Sequence, residues 1–139
     1  KMEVTDWKNC MKRTEAKEIE PDKEMASSLI KASENKLTSA EELKLREQTA
    51  AAKISLIYDS VRELLEAMAL RKGFKIYNHI CYTAFLEEVI NEKELAEDFD
   101  DLRKVRNDIN YYGKEISLEE AKEVLDKLKI LRKSLLKLI

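Results

Sequence analysis

Glycine and proline are scarce in this chain: two glycines and one proline occur among 139 residues. The tight turns of β-sheet proteins depend on these residue types, so their scarcity favours long helices joined by few connections. Hydrophobic residues make up 44% of the chain and charged residues 39%, which supplies both a core and a solvated surface. We therefore predict an all-α fold, an up-and-down helical bundle of four to five helices.

Residues 1–20 are highly charged, and we interpret them as an N-terminal arm that is loosely attached or forms a short helix. Its apolar residues are scattered and are Val4, Trp7, Met11 and Ile19. Pro21, followed by acidic residues, is typical of a helix start. A single helical domain is therefore predicted over 21–139.

Local signals divide this domain into helices. The first core helix is expected to end within 35–38, where S-x-x-E spacings at Thr38 and Ser39 predict the start of a long second helix. That helix ends at Gly73, which follows two basic residues. The next stretch, 74–90, is apolar around most of its circumference and is predicted to be the most buried helix.

The last two helices have similarly clear boundaries. A fourth helix is predicted over 92–112 and closed by Gly113. Ser117 and Glu120 form a capping box that begins the last helix. That helix carries leucines and a valine at coiled-coil-like spacing: Val124, Leu128, Leu131, Leu135 and Leu138. We see no convincing strand in the sequence.

Composition excludes several classes of site. The chain carries 26 basic and 28 acidic residues, and this balance does not support avid, nonspecific nucleic-acid binding. With one histidine and no C-x-x-C pair, a Cys/His zinc site is close to excluded, and no metal or cofactor is expected. Cys10 and Cys81 are interpreted as ordinary free thiols, although a disulfide is an alternative. No glycine-rich phosphate loop, G-x-S-x-G or H-E-x-x-H motif is present.

The chain lacks a run of apolar residues long enough for a membrane span. It also lacks a basic leader followed by an apolar segment. We therefore expect no membrane contact and a cytoplasmic location.

Arg106 stands out on the fourth helix. At about 100° per residue, it lies about 40° from Leu102 and therefore inside the apolar stripe. A guanidinium placed there needs a partner, because an unpaired buried charge is costly. Asn110 lies one turn further on, close enough to bind Arg106 or to share a ligand with it.

Arginine offers a planar fork for phosphate or carboxylate, and tyrosine can stack on a base. The sequence therefore predicts a nucleotide- or RNA-binding group near the end of this helix. Its members are Arg106, Asn107, Asp108, Asn110, Tyr111 and Tyr112. The alternative is that Arg106 pairs with an acid on a neighbouring helix while the tyrosines pack the end of the bundle.

His79 is the other candidate. It lies among apolar and aromatic residues, where a lone histidine is usually a satisfied core residue. The alternative interpretation is that His79 has a functional role.

These residues resemble the HEPN superfamily of small helical domains. The resemblance covers roughly 22–138 and comprises a long second helix, a G-x-K-x-x-N-H stretch from Gly73 to His79, and an R-N-x-x-N-Y-Y-G element at Arg106. It implies a helical bundle that dimerises, often beside a minimal nucleotidyltransferase in toxin–antitoxin pairs. Many relatives are metal-independent ribonucleases with an R-x(4–6)-H motif.

The chain departs from that motif. Tyr111 stands at the shortest spacing where the histidine is expected, and Tyr112 and Gly113 supply no imidazole either. The resemblance is therefore to the branch that lacks the histidine, and it implies binding without catalysis.

Three functions follow as hypotheses. The first is a noncatalytic HEPN-like dimer that binds nucleotide or RNA and acts with a nucleotidyltransferase partner. The second is a metal-independent ribonuclease in which Arg106 and His79 are catalytic. The third is a structural interaction module that uses the leucine seam of the last helix.

Overall fold

The computed structural model describes residues 5–139 and shows, within them, six α-helices and one small antiparallel sheet. The α-helices are α1 (Trp7–Lys12), α2 (Lys23–Glu42), α3 (Ala50–Lys72), α4 (His79–Ala84), α5 (Lys93–Tyr112) and α6 (Leu118–Leu136). The strands are β1 (Ala16–Glu18) and β2 (Phe74–Ile76). The predicted all-α class is confirmed, with the sheet as an addition. Val4, one of the predicted anchors of the arm, lies outside the described residues.

α3 is the centre of the fold. It packs against α2, α5 and α6, and 14 of its 23 residues are buried. The prediction that 74–90 forms the most buried helix is therefore wrong. A helix surrounded on several sides buries most of its circumference, and here that position belongs to α3.

The stretch 74–90 is also not one helix. Its first residues form β2, which pairs antiparallel with β1 so that Ala16 lies opposite Ile76. After β2, Asn78 caps α4 by accepting a hydrogen bond from the Ile80 amide. α4 then continues into a π-helical segment, Phe85–Val89. The prediction of no strand fails because β2 finds its partner far away in the sequence.

The boundary between α2 and α3 also differs from the prediction. α2 continues through Thr38 and Ser39, so the S-x-x-E spacings there lie inside a helix and cap nothing. The fully buried Ala40 anchors this last part of α2. Lys53 of α3 then stabilises its end, since the ammonium donates to the carbonyls of Ala40 and Leu43. Side chains can satisfy the free carbonyls at a helix end in this way.

The last two helices agree closely with the sequence. α5 ends at Gly113, which adopts a left-handed φ of 63°. Ser117 and Glu120 form the predicted capping box at the start of α6. In the leucine seam, Leu128, Leu131 and Leu135 are buried within the chain's own core. These three leucines are therefore not available as a dimer interface.

The N-terminal arm contains the short helix that was one of its two predicted forms. Trp7 of α1 packs against Phe74 and Phe85, with ring centroids 5.3 and 5.6 Å away. This packing brings α1 against α4, and Cys10 and Cys81 form a disulfide. The prediction of two free thiols is wrong, because the tertiary packing places both sulfurs together in the core.

Glu15 lies beside this disulfide. Its carboxylate and the two sulfurs of Cys10 and Cys81 form the one group of potential metal ligands found in residues 5–139. Since the sulfurs are bonded to each other, neither is a thiolate that could hold a metal.

Within residues 5–139, no helix combines the length and the apolar character that crossing a bilayer requires.

Candidate functional site

Arg106 lies on the face of α5 that points toward the core, as its place in the apolar stripe predicted. Phe99, Leu102 and Ile109 on this face are buried. The Arg106 side chain is 14% exposed. The surrounding apolar residues therefore hold a charged group largely away from water, where it needs compensation.

Two tyrosine rings flank the guanidinium of Arg106. Its central carbon lies 5.0 Å from the ring centroid of Tyr58 on α3 and 5.5 Å from that of Tyr111 on α5. Both distances are within the range of cation–π attraction. One terminal nitrogen also donates to the Tyr111 hydroxyl at 3.3 Å. The two rings thus supply much of the compensation for this charge.

The ionic partner of Arg106 is Asp59 of α3, but their contact is long. The second terminal nitrogen lies 3.8 Å from the Asp59 carboxylate, and the buried Nε has no hydrogen-bond partner among residues 5–139. Arg103, one turn earlier, donates from two nitrogens to Asp100 at 3.1 and 2.9 Å. Arg106 is therefore the less completely satisfied of these two arginines.

His79 belongs to the same neighbourhood through Tyr58. Its Nδ1 lies 3.1 Å from the Tyr58 hydroxyl. Burial lowers the pKa of His79, and the charges of Arg62, Arg106 and Arg103 lower it further. The imidazole is consequently held in its neutral form near neutral pH. Burial also raises the pKa of Tyr58, so the bridging hydroxyl stays protonated.

The remaining predicted residues differ in their surroundings. Tyr111 and Tyr112 are exposed to solvent, by 66% and 80%. Asn110 is tied across to α3, because its side-chain oxygen accepts a hydrogen bond from Ser55. Asn110 therefore bonds to Ser55 instead of Arg106, and the alternative prediction, that it shares a ligand with Arg106, stays a prediction. The carbonyl of Asp108 accepts from the amide of Gly113 at the end of α5.

Asn107 is half-buried on the same helix. Within residues 5–139 no hydrogen bond joins its side chain to Arg106, Tyr58 or Tyr111, so its membership of the site stays a prediction.

Sequence reasoning missed Tyr58 and Asp59. Tyr58 is fully buried, and in the sequence it is one member of an apolar stripe. Asp59 is one of many acids. Helix periodicity shows which face a residue occupies, but it does not show which residue of another helix lies opposite.

Comparison with known proteins adds no relative. No family model, curated protein or solved structure matches this chain. We therefore infer the chemistry of this site from its geometry. That geometry consists of a partly satisfied arginine beneath an exposed tyrosine, with a neutral histidine beside the second tyrosine.

Proposed function

We propose that this chain binds a nucleotide or RNA at the surface formed by Arg106 and Tyr111. The observation that carries the proposal is the incomplete bonding of the Arg106 guanidinium. Within the part of the chain that the structure describes, its nearest carboxylate oxygen is 3.8 Å away and its Nε has no hydrogen-bond partner. The two terminal nitrogens make only long contacts, 3.3 Å to the Tyr111 hydroxyl and 3.8 Å to the Asp59 carboxylate, so a ligand that bonds to them more closely is favoured. Phosphate suits the planar guanidinium fork.

Tyr111 supplies the second element of recognition. The residue is 66% exposed, and its ring lies over the guanidinium. A base stacked on an exposed tyrosine gains about 1–3 kcal/mol. Rotation of this ring away from Arg106 would open the guanidinium to a phosphate while leaving the ring free to stack. Phosphate and base are then recognised by adjacent groups.

We further propose a HEPN-like homodimer that acts with a minimal nucleotidyltransferase partner of a toxin–antitoxin pair. This part rests on the sequence resemblance at Arg106. Tyr111 replaces the motif histidine and cannot shuttle protons near neutral pH, so the proposed activity is binding without catalysis. A groove between α5 and α6, lined by Leu95, Val105 and Val124, is the surface proposed for the dimer.

The dimer proposal is tested by sedimentation equilibrium. The wild-type chain should sediment as a dimer, and Val124→Glu, which places a charge in the groove, should sediment as a monomer. A wild-type monomer at high protein concentration would remove the dimer proposal without affecting the Arg106 site.

The binding proposal is tested with a short single-stranded RNA and with adenosine monophosphate, measured by calorimetry. Arg106→Gln should weaken binding of both ligands at least tenfold, because it removes the positive charge. Glutamine is chosen because it keeps a polar side chain at this position. Arg71→Gln, which removes an exposed arginine at the end of α3, is the matched control and should bind like the wild type. Equal binding by both variants would refute the site.

A ribonuclease is the second candidate, and one observation favours it. Arg106 and His79 both contact Tyr58, from its ring and from its hydroxyl. A neutral imidazole beside a guanidinium combines a general base with an anion-stabilising group. The test is RNA cleavage in the presence of a chelator. Cleavage that disappears in His79→Ala supports the ribonuclease, and an inactive wild-type protein excludes it.

A cytoplasmic location stays part of the proposal, and the Cys10–Cys81 disulfide is the observation that opposes it. Disulfides persist mainly in oxidising compartments. Alkylation of the protein in intact cells before lysis distinguishes the alternatives, because a cytoplasmic chain should be trapped with both thiols alkylated.

A further inference from the structure

A second arginine lies in the core on the opposite side of α3 from the Arg106 site. Arg132 of α6 is 6% exposed. Its Nε donates to the Ser60 hydroxyl at 2.7 Å, and one terminal nitrogen donates to the Ser33 hydroxyl at 3.1 Å. The guanidinium therefore bonds to neutral serine hydroxyls of α2 and α3.

Arg132 has no ionic partner within the described chain. Across residues 5–139, none of the carboxylate oxygens comes within 4.0 Å of this guanidinium. Burial lowers the pKa of Arg132, and the exposed Glu34 opposes that shift. A buried charge is ordinarily paired because desolvation is costly. An arginine kept here without a counter-ion needs an explanation other than stability.

The hydroxyls of Ser33 and Ser60 do not require Arg132 as a hydrogen-bond partner. The Ser33 hydroxyl lies 3.0 Å from the Ser60 carbonyl, and the Ser60 hydroxyl lies 2.9 Å from the Ser33 carbonyl. These reciprocal bonds join α2 to α3 directly. The serines position the guanidinium, since it uses their remaining lone pairs, but they do not depend on it for satisfaction.

Arg132 also lines a surface cavity of about 370 Å³ between α2 and α6. This volume is within the range of small-molecule sites. Its apolar wall includes Leu37 and Leu136, and its charged lining adds Lys129, Lys133 and Glu41, so basic residues outnumber acidic ones. Lys129 is paired with Glu41 at 3.2 Å, whereas Arg132 is not paired with any acid in the described residues. The cavity thus combines an apolar wall with a fixed cation that forms no ion pair with any of the residues 5–139.

We propose that this cavity binds a small monocarboxylate with a short aliphatic chain, with the carboxylate on Arg132 and the chain against Leu37 and Leu136. A carboxylate supplies the missing counter-ion in the planar geometry that guanidinium prefers. A monoanion suits the site better than a phosphate, because two of the guanidinium nitrogens are already used by the serines. The proposal is independent of the Arg106 site.

The test uses hexanoate as the probe and hexanol as the matched neutral compound, with binding measured by calorimetry and by methyl shifts in NMR. Hexanoate should bind at least tenfold more tightly than hexanol and should shift the methyl signals of Leu37 and Leu136. Equal binding of the two compounds, or no binding of hexanoate, overturns the proposal without requiring any variant.

Variants separate ligand binding from structure. Arg132→Met keeps the volume of the side chain but removes its charge, and it should lose hexanoate binding at least tenfold while its melting temperature stays equal or rises. Arg71→Gln, which removes an exposed arginine of α3, should bind hexanoate like the wild type. An Arg132→Met protein with a clearly lower melting temperature and unchanged hexanoate affinity would show that Arg132 is structural.

Discussion

The hydroxyl of Tyr58 lies 3.1 Å from Nδ1 of His79. The same tyrosine ring faces the guanidinium of Arg106, whose central carbon is 5.0 Å from the ring centroid. One buried side chain of α3 therefore links the two residues that the sequence analysis selected separately. This link has consequences for the protonation of His79 that can be measured directly.

The pKa of His79 should rise in Arg106→Gln. Burial is the first cause of its lowered pKa, and the charge of Arg106 contributes to the lowering. Removing that charge should move the pKa toward the ordinary value of 6.5. The chain has one histidine, so a proton NMR titration reports it without ambiguity. Arg71→Gln should leave the titration unchanged, and an unchanged pKa in Arg106→Gln would contradict the described geometry.

Stability should decrease as the pH falls below neutrality, in part because of His79. Its folded pKa is lowered, so on acidification the unfolded chain takes up a proton at this site before the folded chain does. The stability that His79 contributes is therefore present above about pH 6.5 and is lost as the pH falls through the folded value. Urea unfolding near pH 7.5 and near pH 5 should show a smaller loss for His79→Gln than for the wild type. If both proteins lost the same free energy of unfolding, the lowered pKa of His79 in the folded chain would be contradicted.

Removal of the disulfide should destabilise the protein and release the arm. Cys10 and Cys81 are separated by 71 positions. Closing a loop of this size restricts the unfolded chain, and loss of the bond is expected to lower the free energy of unfolding by roughly 2–5 kcal/mol. Hydrogen exchange should increase first in α1 and β1. The Cys10→Ala/Cys81→Ala variant serves as the control, because a dithiol reductant should not destabilise it further.

The two glycines should differ in their tolerance of a side chain. Gly73 and Gly113 both have positive φ, 91° and 63°, so alanine is strained at either position by about 1–2 kcal/mol. A Cβ at Gly73 would also lie 3.0 Å from the carbonyl oxygen of Ile19, whereas one at Gly113 would meet nothing within 4 Å. Gly73→Ala should therefore lower the free energy of unfolding more than Gly113→Ala does. The reverse order in urea unfolding would contradict the close approach of Gly73 to the Ile19 carbonyl.

Features set by local sequence were predicted well. The cap of α5 at Gly113 and the capping box of Ser117 and Glu120 depend on residues within one helical turn. The pairing of Ala16 with Ile76 and of Cys10 with Cys81 depends on distant partners. A single sequence contains no signal that brings such partners together, which is why the sheet was not predicted and the disulfide was only an alternative to two free thiols.

In the candidate site, too, the local feature was predicted and the contacts between distant residues were not. Helix periodicity placed Arg106 on a buried face, and the structure agrees with that placement. Its partners Tyr58 and Asp59 come from another helix, and the packing of α3 on α5 decides which residues meet. The charge in the apolar stripe was therefore predictable, and the groups that compensate it were not.

The most direct test of the proposed function is an NMR titration of the wild-type protein with adenosine monophosphate, observing the Nε–Hε signal of Arg106 and the ring protons of Tyr111. Binding as proposed should shift both sets of signals with the same dissociation constant, because the phosphate changes the bonding of the guanidinium while the base stacks on the ring. Arg106→Gln should lose the Tyr111 shifts. Binding that leaves both residues unshifted, or no binding at all, would contradict the account.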